Sequence, residues 1–502
     1  MEGLRKMLKK LECLWPHPQK VTVSGEFAVP SRVRLQNGPH PVGLEEDFYS
    51  IAELEISTDS EGYPVQFKLD AGLDKAQSYK LTMSEDGITV SAADEPAMIY
   101  GMQTLLQVLA LFRDAERWPE LDIYDYPAYA KRCFMVDMGR SVFTMPFLKR
   151  IVRILARLKM NQLHLHLYDD ELCGIRFEGF PFGSENPYAL SIAEFAELVK
   201  YAAQYHIEIV PELEAWGHVG SLVYHRPELR GGEGMYAGSS FLICEETFEL
   251  MRELTRQVVE VMPWQATIHF GLDEAKWYLS PSMPQDFSPE QLVGRYYEML
   301  QKIGDELGKK LTMQIWADHG GRPVPQQIQH NVIIEPWQYW NSARSRIDRA
   351  IGRYSGPGKM RWVMGAGQSI GQYRGAYHAT RYWCKQALDS PNVEGVDITL
   401  WGSNDLDQKL ISLFAGAYFA WNPNSGTRFS ELEDYEEFDR HVFPFMYWWQ
   451  ATFRDAFQDD ICRDRGPVVN NGFYLWGPNH GKPVAPTVPV ANTAIGHDYL
   501  NE

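Results

Sequence analysis

Asp273 and Glu274 stand side by side just past a short apolar run, residues 268–271. Carboxyl groups this close push their pKa values apart, so that one holds a proton while the other stays anionic. Acid/base hydrolysis of a glycosidic bond needs that division of labour. The same pair equally suits the start of a helix, where an N-cap Asp and an acidic first turn are favoured by the helix dipole. His164 and His166, two apart on another apolar run, share one face of a strand. With Asp169, His218 or His269 they could form a metal site, or each ring could be hydrogen-bonded inside a core. His218, in Trp216-Gly217-His218, can hydrogen-bond a carboxylate and so tune its acidity.

These residues need a scaffold that brings distant segments to one place. From residue 131 the pattern is strand, loop, helix, repeated. Strands are expected at 133–137, 162–168, 207–212, 268–271, 311–316, 332–335, 362–365 and 396–401, as short apolar runs buried on both faces. Amphipathic segments at 147–158, 192–205, 246–262, 289–307 and 379–388 lie between them, while the connection 318–330 is weakly helical. Eight such units predict an α/β fold, a (β/α)8 TIM barrel over residues 127–425. A small α+β domain precedes it at 1–126, with strands at 24–30, 65–69, 79–83 and 87–92 and a helix at 97–111. Residues 426–502 are expected as a helical and irregular extension packed on the barrel.

In such a barrel, chemistry collects at the C-terminal ends of the strands. Seven of the eight expected ends carry acids or tryptophan: Asp137 with Arg140, Asp169-Asp170, Glu212 with Glu214 and His218, Asp273-Glu274, Trp316 with Asp318, Glu335 with Trp337, and Trp401 with Asp405. An acidic pocket walled by indole rings follows, which suits a carbohydrate.

Composition narrows the partners. The 502 residues carry 48 Lys and Arg against 66 Asp and Glu, a net charge of −18, which repels phosphate backbones. The most basic stretch, residues 1–20, reads as a solvated tail, and nucleic acid is not expected as a partner. No apolar run approaches the roughly 18 residues of a membrane span. The first residues lack the apolar core and cleavage site of a secretory signal, and the six cysteines include no CxxC pair. A cytoplasmic protein without a disulfide framework or zinc knuckle is the expectation.

With the motifs assembled, the chain resembles glycoside hydrolase family 20, the β-N-acetylhexosaminidases. The resemblance rests on Arg132 with Asp137 and Arg140; on Asn161-Gln162-Leu163-His164-Leu165-His166-Leu167-Tyr168-Asp169-Asp170; on Pro211-Glu212-Leu213-Glu214-Ala215-Trp216-Gly217-His218; on His269-Phe270-Gly271-Leu272-Asp273-Glu274; and on Trp316, Trp337 and Trp401. It covers residues 20–425, the small domain included. It implies retaining, substrate-assisted hydrolysis of terminal N-acetylhexosamine from a glycan or glycolipid, without metal or cofactor. Glu274 would be general acid then base, and Asp273 would orient the substrate's acetamido nitrogen. Asp169 and His218 would form a relay behind Glu274. Arg132 would bind sugar hydroxyls, and the three tryptophans would wall the sugar.

Several positions depart from the family pattern. Leu165 and Leu272 stand where Trp and Gly are common, and Ser403 replaces the acid two positions after the last pocket Trp, making Asp405 the candidate substitute. Tyr373 is the candidate grip on the acetamido oxygen, with Tyr339 as the other choice. Two other classes compete with this reading: a metal-dependent amidohydrolase using His164 and His166, and a non-catalytic sugar-binding barrel.

Overall fold

A computed structural model describes residues 2–453, except 37, 58–61, 233–237, 276–286, 319–322, 369–375, 403–405 and 433–434. Among these residues no helix is long and apolar enough to cross a membrane.

The leading unit is a six-stranded sheet. Its strands are β1 (Lys20–Ala28), β2 (Val33–Leu35), β3 (Tyr63–Leu69), β4 (Tyr79–Ser84), β5 (Gly87–Ala92) and β6 (Arg117–Asp125), in the order β1-β6-β4-β5-β3-β2. Period-two burial sets its inner face: Tyr79, Leu81 and Met83 of β4 are buried while their neighbours are not. The helix Glu95–Leu111 covers that face, capped by Asp94, whose side chain accepts from the Ala97 amide. β6 was not expected, because Pro119 interrupts its pattern. β4 pairs only with residues from Leu121 to Asp125, so the missing Pro119 amide costs that pairing nothing.

Residues 1–20 are not a solvated tail. Glu2–Leu11 is a helix, and Leu11, Leu14 and Trp15 are buried. The Trp15 indole donates to the Phe414 carbonyl (2.9 Å) on the last barrel helix, Leu406–Trp421, and its ring packs on Tyr418. The scattered lysines hid an apolar edge that needs a partner 400 residues away.

Eight parallel strands close the barrel: β7 (Lys131–Asp137), β8 (Gln162–His166), β11 (Glu208–Glu212), β12 (Gln265–His269), β13 (Lys310–Ala317), β14 (Val332–Pro336), β15 (Arg361–Gln368) and β16 (Val393–Leu400). A short ribbon, β9 (Ile175–Arg176) with β10 (Leu190–Ser191), lies in the connection after β8. Capping boxes at Ser191 and Ser288 start the helices Ile192–Ala203 and Pro289–Leu307. After β13 the described residues hold only the 3-10 turn Gln326–Ile328, which leaves the β13–β14 flank without a covering α-helix. Two barrel helices, Arg344–Tyr354 and Leu406–Trp421, were not expected. The first buries Ile347 and Tyr354, with Ala350 and Ile351 partly buried beside them, and carries four arginines. Beyond residue 425, the helix Tyr435–Thr452 packs Trp449 edge-on against Phe414.

Candidate active site

Parallel register sets Asp137 beside His166, His166 beside Glu212, and Glu212 beside His269, so four strands deliver polar side chains to one buried layer. Glu212 is the hub of this layer. Its carboxylate meets His166 Nδ1 (2.5 Å), His164 Nε2 (3.1 Å) and His269 Nδ1 (3.1 Å), and accepts the Trp316 indole N–H. Burial alone would raise the Glu212 pKa, but the three imidazoles outweigh it and hold it well below the usual carboxylate range. Burial likewise opposes charging the rings of His164 and His166. Asp397 and Glu212 push the first up to about 10, and Glu212 and Asp169 do the same for the second. Both nitrogens of each ring face carboxylates, His164 toward Asp397 and Glu212, His166 toward Glu212 and Asp169 (2.7 Å). Donor groups close enough for an ion exist here, such as His164, Glu212 and His269. The same nitrogens lie at ion-pair distance from Glu212, the arrangement of the structural reading of the histidine pair.

Directly above lies a cavity lined by Arg140, Asp169, His218, Asp273 and Glu274, with Trp316, Trp337, Tyr339, Trp340 and Trp401 as its aromatic walls. His218 sits between the acids: Nδ1 is 3.4 Å from Asp169 and 3.3 Å from Asp170, while Nε2 is 3.3 Å from Glu274 and 3.8 Å from Asp273. Burial works against its charge, but Asp169, Asp170 and Glu274 raise its pKa well above the ordinary histidine value. Asp169 in turn is tied to Arg140 (2.7 Å) and His166, and they hold it ionised against burial.

The adjacent carboxyls are in different electrostatic settings. Burial pushes Asp273 up to about 6, with the charges of Asp318 and Glu274 adding to the effect against His218. Glu274 is one-third exposed; burial raises it, yet the His218 hydrogen bond and charge bring it below its ordinary value. Beneath them Glu214 is pushed well above the ordinary carboxylate value by burial and by the charges of Asp273 and Glu212, and its Oε2 accepts the Leu272 amide N–H (3.3 Å).

The turn that presents this pair is tight. Gly271 (φ +60°), Leu272 (φ +70°) and Glu274 (φ +48°) all lie in the left-handed region. A Cβ on Gly271 would fall 1.9 Å from Glu214 Oε2, so any side chain there would have to displace the Glu214 carboxyl from beneath the pair. Leu272 and Glu274 hold a conformation that costs L-residues about 1–2 kcal/mol each. Glu274 is anchored there by its amide, which donates to Asp318 Oδ2 (3.2 Å).

Residues 13–126 match the family model for glycosyl hydrolase family 20, domain 2, and residues 129–351 match the model for the glycosyl hydrolase family 20 catalytic domain. The chain belongs to glycoside hydrolase family 20. A β-hexosaminidase from Porphyromonas gingivalis is 26% identical over 336 residues, 57% of this chain and 43% of that protein. A β-N-acetylhexosaminidase from Cellulomonas fimi is 29% identical over 270 residues, 49% of each. The chain thus spans about half the length of the curated relatives it matches. Among solved structures, a β-N-acetylhexosaminidase from Bacteroides fragilis aligns with a TM-score of 0.69 at 20% identity, covering 88% of this chain and 96% of that one. The Flavobacterium johnsoniae chitobiase gives 0.70 at 20% identity, over 88% and 73%. These similarities establish the family fold.

Within this family 20 barrel, Asp169, His218, Asp273, Glu274, Trp316, Trp337 and Trp401 meet in one cavity. Arg132 does not, and its assignment to sugar hydroxyls is corrected. It lies near the start of β7, fully buried, donating to the carbonyls of Lys159, Tyr129 and Ala130 and to Tyr100 Oη (3.0 Å). Arg140, past the end of β7, occupies the pocket instead. Its position relative to the strand end was the available signal. Tyr373 and Asp405 lie outside the described residues. Tyr339 does line the cavity, its hydroxyl accepting the Trp401 indole N–H (3.0 Å) and its ring stacked on Trp337 (5.5 Å). Trp340 was missed as a site residue. Trp340 follows the noted Trp337 by three positions, while Glu214 was noted at its strand end and only the fold sets Asp273 beside it, which raises its proton affinity.

Proposed function

We propose that this family 20 chain is an exo-acting, retaining β-N-acetylhexosaminidase. Its substrate would be a glycan or glycolipid with a terminal β-linked GlcNAc or GalNAc, cleaved by substrate-assisted catalysis. The observation that carries the reading is His218 bridging Asp169 and Glu274 beside the buried Asp273, in a cavity walled by four tryptophans. The remaining lining carboxylate, Asp169, is engaged by Arg140, His166 and His218, so it is not available as a nucleophile. The substrate's own 2-acetamido oxygen then attacks the anomeric carbon as the bond to the aglycone oxygen breaks, giving an oxazolinium ion. Glu274 protonates the departing oxygen. Asp273, ionised, accepts the acetamido N–H and stabilises the positive charge that develops there. In the second half, Glu274 as carboxylate takes a proton from water, which attacks the anomeric carbon and restores the acetamido group.

Glu274 needs a proton that its pairing with His218 does not favour. A bound sugar strips water from this one-third-exposed carboxyl and raises its proton affinity, and the charged His218 at 3.3 Å is the adjacent donor. Asp169 keeps that imidazole oriented. Remaining N–H groups of Arg140 face the sugar hydroxyls, and Trp316, Trp337 and Trp401 stack on its C–H faces. We also place the protein in the cytoplasm, a reading supported by the free thiols of Cys13, Cys133, Cys173, Cys244 and Cys384.

The test is turnover of aryl β-glycosides of GlcNAc, GalNAc and glucose, with and without chelator. Cleavage of the two acetamido sugars but not glucose, indifferent to chelator, is expected. Binding without turnover would favour a sugar-binding barrel, and loss on chelation a metal-dependent hydrolase.

A further inference from the structure

The sequence does contain a basic patch, contrary to the expectation from overall charge. Residues 344–361 hold Arg344, Arg346, Arg349, Arg353, Lys359 and Arg361 against the single acid Asp348, in a chain of net charge −18. Arg361 is paired with Glu394, and Arg344 lies over the Tyr382 ring. The other four turn to a common space. Arg346, Arg349 and Arg353 recur at i, i+3 and i+7 of the helix Arg344–Tyr354, one face about 10 Å long. With Lys359 they border a cavity of about 540 Å³ on the β13–β14 flank, where the covering α-helix is missing among the described residues. That volume is within the usual range for a ligand site, roughly 300–1,000 Å³.

Two residues join this groove to the catalytic cavity. Trp337 lines both spaces. Asp318 lines the groove and accepts the Glu274 amide N–H, so the groove begins one residue from the proposed general acid. Among the described residues, no carboxylate is within ion-pair distance of Arg346, Arg349 or Lys359; the Arg349 Nε meets only the Ser345 carbonyl of its own helix. Like charges one turn apart repel, and their guanidinium forks match the paired oxygens of a carboxylate or sulfate.

We propose that this groove is an anion-binding extension of the active site, which holds the sulfate or uronate groups of an acidic glycan whose terminal N-acetylhexosamine occupies the catalytic cavity. The inference rests on the hydrolase reading above. The shared Trp337 wall favours a saccharide, and the strongly negative remainder of the surface disfavours a long polyanion such as nucleic acid.

The experiment compares wild type with Arg346→Gln/Arg349→Gln, two exposed positions outside the catalytic cavity. Substrates are a neutral β-GlcNAc disaccharide and matched β-HexNAc oligosaccharides carrying either a sulfate ester or a uronate. For the preferred acidic substrate, kcat/KM should fall at least tenfold in the variant, mainly through KM. The neutral substrate should change less than twofold, and 0.5 M salt should erase the wild-type preference. The sulfate and uronate arms distinguish which anion is held. Equal kcat/KM ratios in both proteins would overturn the groove assignment while leaving the hydrolase reading intact. If no substrate is cleaved, the hydrolase reading fails, and calorimetric titration with a sulfated, uronate-containing disaccharide then decides the groove. Binding lost in the variant supports it. No binding, or equal binding of an oligonucleotide, overturns it.

Discussion

Both ends of the barrel bury charge, but they treat it differently. At the N-terminal end Lys159 is fully buried, and its Nζ reaches Tyr79 Oη (2.9 Å) and Asp125 (3.1 Å). Asp125 also accepts from the Trp421 indole (2.9 Å) and the Gln19 and Tyr126 amides (3.0 Å each). Arg132 spends its donors on three carbonyls and a phenol. At the C-terminal end, acids outnumber cations. Asp169, Asp170, Glu171, Glu214, Asp273 and Glu274 crowd around Arg140 and His218, and burial with mutual repulsion drives Asp170, Glu171, Glu214 and Asp273 above their ordinary pKa values. The first end is a joint between domains with its donors and acceptors matched. The second raises the proton affinity of four of its carboxyl groups. Balance, rather than burial, separates a structural charge cluster from a reactive one.

Substitutions at the two ends should therefore separate activity from stability. The largest loss is expected at the reactive end: Glu274→Gln should lower kcat by about 10²–10⁴ and Asp273→Asn by about 10²–10³, with melting temperatures held. Near-wild-type turnover of Glu274→Gln would remove the basis for the contrast. Next is the joint. Lys159→Met leaves Asp125 buried without its cation and should cost about 3–5 kcal/mol in denaturant unfolding, with kcat/KM unchanged while the protein is folded. A catalytic defect in that folded variant would show that the ends are coupled. A smaller effect is pH dependence. Asp273 must be ionised to accept the acetamido N–H, so kcat/KM should rise with pH through about 6 and level off above it. A limb near 4 would mean that the acidic crowding does not reach Asp273. The smallest effect is at the rim, where Trp340, still 39% exposed, should on replacement by Ala raise KM less than tenfold and leave kcat in place.

The eight barrel strands were legible because runs buried on both faces leave few other readings, and their ends pointed to the acids. Motif order alone did not distinguish Arg132 from Arg140. Eight positions apart, they straddle one strand, and about 3.3 Å per residue carries them to opposite ends of the barrel. The helix Arg344–Tyr354 was missed although Ile347, Ala350, Ile351 and Tyr354 recur at helical spacing, because its four arginines and a glycine dilute so short an apolar stripe. β6 was hidden by a proline whose harmlessness depends on which partner strand lies opposite. The raised proton affinity of Glu214 comes from burial and from its neighbours, of which Asp273 arrives from the turn after another strand. Leu272, where glycine is common in the family, reads in sequence as a packing change, whereas the backbone has it at φ +70°.

The Trp15 indole that meets the Phe414 carbonyl joins residues 399 apart. Gln19 reaches the Trp421 carbonyl (3.2 Å), and Asn422 returns to the carbonyls of His17 and Pro18. The polypeptide is thereby sewn shut around its barrel, with the first elements and the last barrel helix sharing a seam. Neither flank of that seam can fray alone, so residues 13–19 and the helix Leu406–Trp421 should gain and lose amide-exchange protection as one cooperative unit.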